Sequence, residues 1–308
     1  MTDVKIRHHN ERVETCGDGS INENDEEYIM ACEKETMMSK QQINQKLKTM
    51  EKTTYLTDVA LISVTNTEFN AVMHFHDWVS KTVEGDDQVY QFAQFDRDDK
   101  SYTLIHARQP EMGMTSAAAT ATKMIYEFRP RYLVMVGIAA GVAQEGITEQ
   151  MYGDVVAPDI VWNYSAGKFV SPEDADISFG DLGFVPRSTH LAVPSEAMPY
   201  IYKAIESPEN ECHVHVGPMA CGSSVVANRN VLEKQIRSQL SSTAGLDMES
   251  YGVVYAAVHA SMPRPIPIII KSVCDYADSS KTDNYQKFAA YTSCQFAKLL
   301  YEKYLPFE

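Results

Sequence analysis

Hydrophobic and polar positions divide the chain into two unlike stretches. Residues 1 to 54 are rich in Glu, Lys, Asn, Gln and Thr, with a weak helical repeat through Ile29, Met37, Ile43, Leu47 and Met50. That pattern predicts a polar N-terminal arm, unstructured over about its first 25 positions and partly helical after them.

From Tyr55 onward, continuous apolar runs alternate with amphipathic segments. Asp58–Val64 (DVALISV), Tyr132–Val136 and Ile266–Val273 read as strands buried on both faces of a parallel sheet. Val89–Phe95 and Tyr102–Ala107 read as strands joined by the polar turn Asp96–Lys100. Gly153–Trp162 and His213–Cys221 read as further strands. A turn and cap at Thr65-Asn66-Thr67 leads into a helix opened by Glu68. Other helices are predicted over Ala117–Phe128 with Pro130 as the stop, near Ser195–Ile205, near Asn230–Leu240, and over Tyr285–Tyr304. Residues 163–189, rich in Gly, Pro and Asp, are predicted to be a long loop. Strands alternating with helices give an α/β class: one domain over residues 55–308, with a mainly parallel or mixed central sheet flanked by helices.

One stretch organises the rest. Gly245–Gly252 (GLDMESYG) reads as a short strand handing over to a helix, and the apolar strand that follows ends in the acids Asp275 and Asp278. Open α/β sheets bind ligands outside the carboxyl ends of their strands, so Glu249 and Asp275 can face one crevice.

Composition narrows the function. The chain has 308 residues, 44% of them hydrophobic, and a formal net charge of −15. Such a charge argues against nucleic acid or an anionic membrane as a partner, since both require a basic face. No apolar run reaches the roughly 20 residues of a membrane-spanning helix, and the polar N-terminus has no secretory h-region. The 6 cysteines are scattered without a CxxC pair, as expected of reduced thiols in a cytoplasmic protein. His74/His76 and His213/His215 have i, i+2 spacing. The second pair would share a strand face, but no third ligand is evident, so no metal site and no cofactor are predicted. Gly137–Gly141 lacks the third glycine of a dinucleotide fingerprint.

Five stretches in order carry a family resemblance: Gly137-Ile138-Ala139-Ala140-Gly141, Gly153-Asp154-Val155-Val156, Cys221-Gly222-Ser223-Ser224-Val225-Val226, Asp247-Met248-Glu249, and Ser272–Asp278 (SVCDYAD). Together they resemble the nucleoside phosphorylase/nucleosidase superfamily over roughly Asp58 to Leu305. Within it the chain is most similar to the methylthioadenosine/S-adenosylhomocysteine nucleosidase branch. The CDYADS form resembles nucleosidase domains of immune-type proteins, antiphage effectors among them.

The resemblance implies cleavage of a purine N-glycosidic bond. That reaction builds positive charge on the ribose and negative charge on the base, so it calls for an acid, support for the sugar, and a nucleophile. Asp275 matches the family acid at purine N7; taken alone it is also a turn cap. Glu249 matches the carboxylate that grips the ribose hydroxyls; a first-turn helix acid is compatible with that. Glu68 falls where nucleosidases orient the attacking water, and is equally an ordinary helix-start Glu. Met248 would pack on the sugar or in the core. Val225, Val226, Ser223, Ile138 and Ala139 would line the base and sugar sites. Tyr276 and Trp162 are candidates to stack on the base, and both also suit the core. Lys168, with Arg187, His190 and Lys281, could bind a 5′-phosphate chain, or be solvated loop charges.

Neither Val64–Glu68 nor Met135–Ile138 carries the arginine with which phosphorylases of this fold hold phosphate, so water is the expected nucleophile. The substrate is then a small purine nucleoside or nucleotide. Hydrolysis is weighed against two rivals, a phosphate-dependent phosphorylase and a non-catalytic nucleotide sensor. By resemblance the protein is expected to be a homo-oligomer, with the N-terminal arm as a candidate contact for a regulatory partner.

Overall fold

Strand β1 (Thr57–Ser63) forms around the continuous apolar run Val59–Ile62, and the fold covers it on both faces. It pairs in parallel with β4 (Lys100–Arg108) on one side and with β5 (Pro130–Gly141) on the other. Its side chains alternate between two cores. Ala60 and Ile62 join Leu133, Met135, Met124, Val253 and Ala257 on one face. Val59 and Leu61 join Val134, Ile268, Ile270, Phe296 and Leu300 on the other. Each fully buried aliphatic side chain of this kind stabilises the fold by about 1.5–3 kcal/mol. The computed structural model describes residues 54–142, 150–179, 182–279 and 281–307. The arm predicted for residues 1–54 lies outside the described residues except for Thr54.

Among the described residues the main sheet has 12 strands. Antiparallel β2 (Val79–Val83) and β3 (Asp86–Arg97) extend it beyond β4, and the β3–β4 hairpin turns at Asp98 and Asp99, both with positive φ. β5 outruns β1 and serves two further partners. β15 (Ile266–Asp275) pairs with it in parallel from Tyr132 to Ala140, and β14 (Gly245–Asp247) is antiparallel to its last two residues. Past β15 lie β6 (Val155–Ala157) and β12 (Val214–Val216). Past β14 lie β13 (Met219–Cys221), β7 (Ile160–Asn163) and β11 (Thr189–Ala192). The class is the expected one, a mixed central sheet flanked by helices.

Four helices bear on the site. α1 (Asn66–Met73) starts in a capping box between Thr65 and Glu68 and packs on α6 (Gln286–Leu299), the last α-helix. α2 (Met114–Phe128) packs on α5 (Ser250–Val258). The close approach of α2 and α5 requires Gly252, where an added Cβ would stand 2.3 Å from the Met114 carbonyl oxygen. α3 (Met198–Ile205) falls between α2 and α5 in sequence and packs on Leu300–Tyr304. Among the described residues no helix is long and apolar enough to cross a membrane.

Several sequence expectations are corrected. The strand predicted over Tyr132–Val136 does not stop there: β5 runs on through the Gly-rich segment Gly137–Gly141, kept extended by pairing with β14 and β15. The predicted strands 153–162 and 213–221 are each two short strands, broken at Pro158 and at Gly217-Pro218. The predicted loop 163–189 contains a second, antiparallel sheet of β8 (Gly167–Val170), β9 (Ile177–Phe179) and β10 (Leu182–Pro186). The helix expected over 230–240 is a short helix, α4 (Arg229–Val231), followed by π-helical Leu232–Arg237. The last helix also ends in a π-helical turn, Leu300–Tyr304.

Candidate active site

A hollow of roughly 270 Å³ opens past the ends of β1, β14 and β15, beside Ile138–Ala140 of β5. Glu68, Glu249 and Asp275 all line it. The shared crevice expected for Glu249 and Asp275 therefore exists, and Glu68 faces it too.

Glu68 is held by main chain. Its Oε2 accepts the N–H groups of Val64 at 2.8 Å and Thr65 at 2.7 Å. Its Oε1 accepts the Ile138 N–H at 2.8 Å. The side chain is 1% exposed, so its charge rests on these donors. A carboxylate offers about four lone-pair positions, so one on Oε1 is left to accept from a group in the hollow.

Glu249 follows β14 and precedes α5. Its Oε1 accepts the Gly113 N–H at 2.9 Å, from the residue before α2. Asp247 caps the start of α5: Oδ2 accepts the Ser250 N–H at 2.9 Å and Oδ1 the Ser250 hydroxyl at 2.7 Å. Lys271, fully buried within β15, stands with its ammonium 3.6 Å from Asp247 Oδ2 and 3.6 Å from Glu249 Oε2. One cation thus serves two carboxylates. Burial pushes the Glu249 carboxyl above its ordinary range; Lys271 opposes this and Asp247 adds to it. Burial alone would lower the Lys271 pKa, but the two carboxylates outweigh it and hold the amine above its ordinary value.

Asp275 ends β15 and is 3% exposed. Its Oδ1 accepts the Ala277 N–H at 2.9 Å, and its Oδ2 lies 2.6 Å from the Lys281 ammonium. The Cys274 thiol approaches the same oxygen at 3.5 Å. Burial, with the neighbouring carboxylate, pushes that thiol up to about 12, so it stays protonated.

Of the other residues singled out from sequence, Met248, Val225, Val226, Ile138 and Ala139 line the hollow. Ser223 does not; its neighbour Ser224 does. Tyr276 is also off the lining. It turns away from Asp275, its hydroxyl donates to the Gln150 carbonyl at 2.6 Å, and its ring packs on Tyr152. Lys168 is exposed on β8, and of the four candidates for a 5′-phosphate only Lys281 lines the hollow. Trp162 is fully buried in the core. Sequence reasoning assigned no role to Lys271, Gly113 or Tyr164. Lys271 had a signal: a lysine inside the apolar run Ile268-Ile269-Ile270-Lys271 requires a buried anionic partner. The expectation that His213/His215 lack a third ligand is corrected, because Asp154 lies beside both.

The model of the Phosphorylase superfamily matches residues 60–305. An uncharacterised protein, y4jS of Sinorhizobium fredii, is 30% identical over 231 residues, which is 72% of this chain and 54% of that protein. The ATP nucleosidase Cap17 of Escherichia coli is 26% identical over 214 residues, 63% of this chain and 40% of that protein. The chain thus spans about half or less of the length of these two relatives. Among solved structures, the 5′-methylthioadenosine/S-adenosylhomocysteine nucleosidase of Neisseria meningitidis, in complex with methylthio-immucillin-A, superposes with a TM-score of 0.62 at 18% identity. The match covers 80% of this chain and 99% of that one, and it shows a shared fold.

Proposed function

The chain belongs to the phosphorylase superfamily, and from that premise we propose that it hydrolyses the N-glycosidic bond of an adenine nucleoside or nucleotide, releasing free base. The observation that carries the reading is the convergence of Glu68, Glu249 and Asp275 on one hollow. Glu249 accepts hydrogen bonds from the ribose hydroxyls and supports the cationic sugar. Asp275 supplies or stabilises the proton at N7 as the bond from C1′ to the base breaks. The free lone pair of Glu68 Oε1 orients a water, and as the water attacks C1′ its proton passes to that carboxylate. Met248 packs on the sugar, and Val225 and Val226 cover the base.

Water is the nucleophile in this reading, because among the described residues that line the hollow there is no arginine to hold a phosphate dianion. The name of the ATP nucleosidase Cap17 supports an adenine nucleotide as substrate. A defence role as a nucleotide-depleting effector follows, in this reading, from such a substrate. The same reading has a cytoplasmic homo-oligomer, with residues 1–54 as an arm that contacts a regulator. The test is adenine release from methylthioadenosine, S-adenosylhomocysteine, adenosine, AMP and ATP in phosphate-free buffer, followed by chromatography. Release without phosphate is expected. A strict need for phosphate would make the protein a phosphorylase, and no turnover of any of the five would favour a sensor.

A further inference from the structure

A second cluster of functional side chains lies outside the hollow. Asp154 precedes β6, and His213 and His215 flank Val214 at the start of β12, the strand that pairs in parallel with β6. His213 Nδ1 lies 3.1 Å and His215 Nε2 2.8 Å from the same oxygen, Asp154 Oδ2. The three donor atoms all fall within 4.8 Å of one another. We propose that Asp154, His213 and His215 form a binding site for a divalent transition-metal cation of the zinc class.

Three arguments carry this. The first is spacing. Ligand atoms around a tetrahedral zinc stand roughly 3.3 Å apart, given metal–nitrogen distances of about 2.0–2.1 Å. The two distances seen here need only a few tenths of an ångström of opening. The second is chemistry. Two imidazoles and one carboxylate suit zinc, nickel, copper or cobalt, whereas calcium and magnesium take oxygen ligands. The third is crowding. Asp154 Oδ2 already accepts the Met151 N–H at 2.9 Å, so three donors converge on one oxygen. A cation between the rings would let both imidazoles offer lone pairs instead.

The scaffold is fixed and the entrance is open. The Asp154 side chain is 9% exposed, that of His215 13% and that of His213 63%. A cation would enter past His213 and retain solvent-facing positions, so it would exchange readily. Main-chain bonds tie the site to the catalytic strand. The Val273 N–H donates to the Asp154 carbonyl at 2.9 Å, and the Gly153 N–H donates to the Val273 carbonyl at 2.8 Å. Val273 belongs to β15, which ends at Asp275.

The experiment uses the full chain, reduced, with Zn²⁺ by calorimetry and Co²⁺ by visible spectroscopy. His8, His9, Cys16 and Cys32 can bind metal on their own, so the readout is the difference between the parent and the double variant His213→Ala/His215→Ala. One equivalent present in the parent and lost in the double variant is expected, with affinity at the site falling more than about 100-fold. The Co²⁺ signal that disappears should show d–d bands without thiolate charge transfer. The proposal is overturned if the parent binds no Zn²⁺, if the double variant keeps the parent's stoichiometry, or if the lost signal is a thiolate one. Circular dichroism confirms that the double variant is folded; if it is not, His213→Ala alone, at the exposed ring, takes its place under the same criteria.

Discussion

Glu68 Oε1 accepts the Ile138 N–H at 2.8 Å, fastening the loop after β1 to the middle of β5. The contact works only because residue 137 is glycine: a Cβ there would sit 2.0 Å from that same oxygen. The carboxylate of Glu68 and the absent side chain of Gly137 are two halves of one device.

Gly137→Ala should therefore behave as a lesion of Glu68. The methyl group expels the carboxylate, leaving the N–H groups of Val64, Thr65 and Ile138 unpaired. Each orphaned buried donor costs about 1–3 kcal/mol. Glu68→Gln should be milder in stability, since its amide oxygen still accepts from part of the set. Both variants should lose about 10²- to 10⁴-fold in adenine release, the range for a misplaced general base. Thermal unfolding alongside turnover checks this; a Gly137→Ala protein with parental turnover would mean that Glu68 does not orient the nucleophile.

Lys271 and Glu249 yield a prediction about pH. The folded state raises the Glu249 carboxyl above its unfolded value, so it binds that proton more readily than the unfolded chain does. The group's contribution to stability is therefore fully present below the ordinary carboxylate range and is lost as pH rises through the elevated folded value. Glu249→Gln should remove this falling component while abolishing turnover. Unfolding midpoints of parent and variant between acid and neutral pH test it, and parallel curves would refute it.

Lys271→Met strands two buried carboxylates. Removing one partner of a buried ion pair costs about 3–5 kcal/mol. For a chain of this size that is a fall in midpoint on the order of 10 °C. Acidification should restore part of the loss, because protonating Glu249 removes one of the two uncompensated charges. A deficit independent of pH would place the role of Lys271 in packing alone.

The sequence revealed whatever is local or densely apolar. β1 and β15 were legible because a strand covered on both faces carries a continuous apolar run, and the Thr65/Glu68 capping box carries its own spacing. Glu249 and Asp275 were legible through short ordered motifs. The rest depended on pairings between distant segments. Nothing local says that Gly137–Gly141 stays extended; β14 and β15 hold it so. Tyr276, a candidate to stack on the base, packs instead on Tyr152 with its hydroxyl on the Gln150 carbonyl, a contact to a distant segment that no local pattern announces. Asp154 was invisible as a partner of His213 and His215 because only the β6–β12 pairing brings them together.

Asp275 and Lys281 yield the last prediction. Asp275 Oδ2 lies 2.6 Å from the Lys281 ammonium, so a substrate base must compete with that lysine for the same oxygen. A hydrogen bond to a charged group is worth about 1.5–3 kcal/mol. Lys281→Met should therefore raise kcat/KM for adenosine and methylthioadenosine by about tenfold. Nucleotides should respond in the opposite direction if the displaced ammonium finds a phosphate oxygen, so the ratio of ATP to adenosine turnover falls. Asp275→Asn is the control. It keeps the oxygen that accepts from the Ala277 N–H, so folding and ligand binding persist while turnover drops about 10²- to 10⁴-fold. Turnover and equilibrium binding measured on the two variants separate these effects, and an unchanged ratio of ATP to adenosine turnover in Lys281→Met would reject a phosphate contact for that lysine.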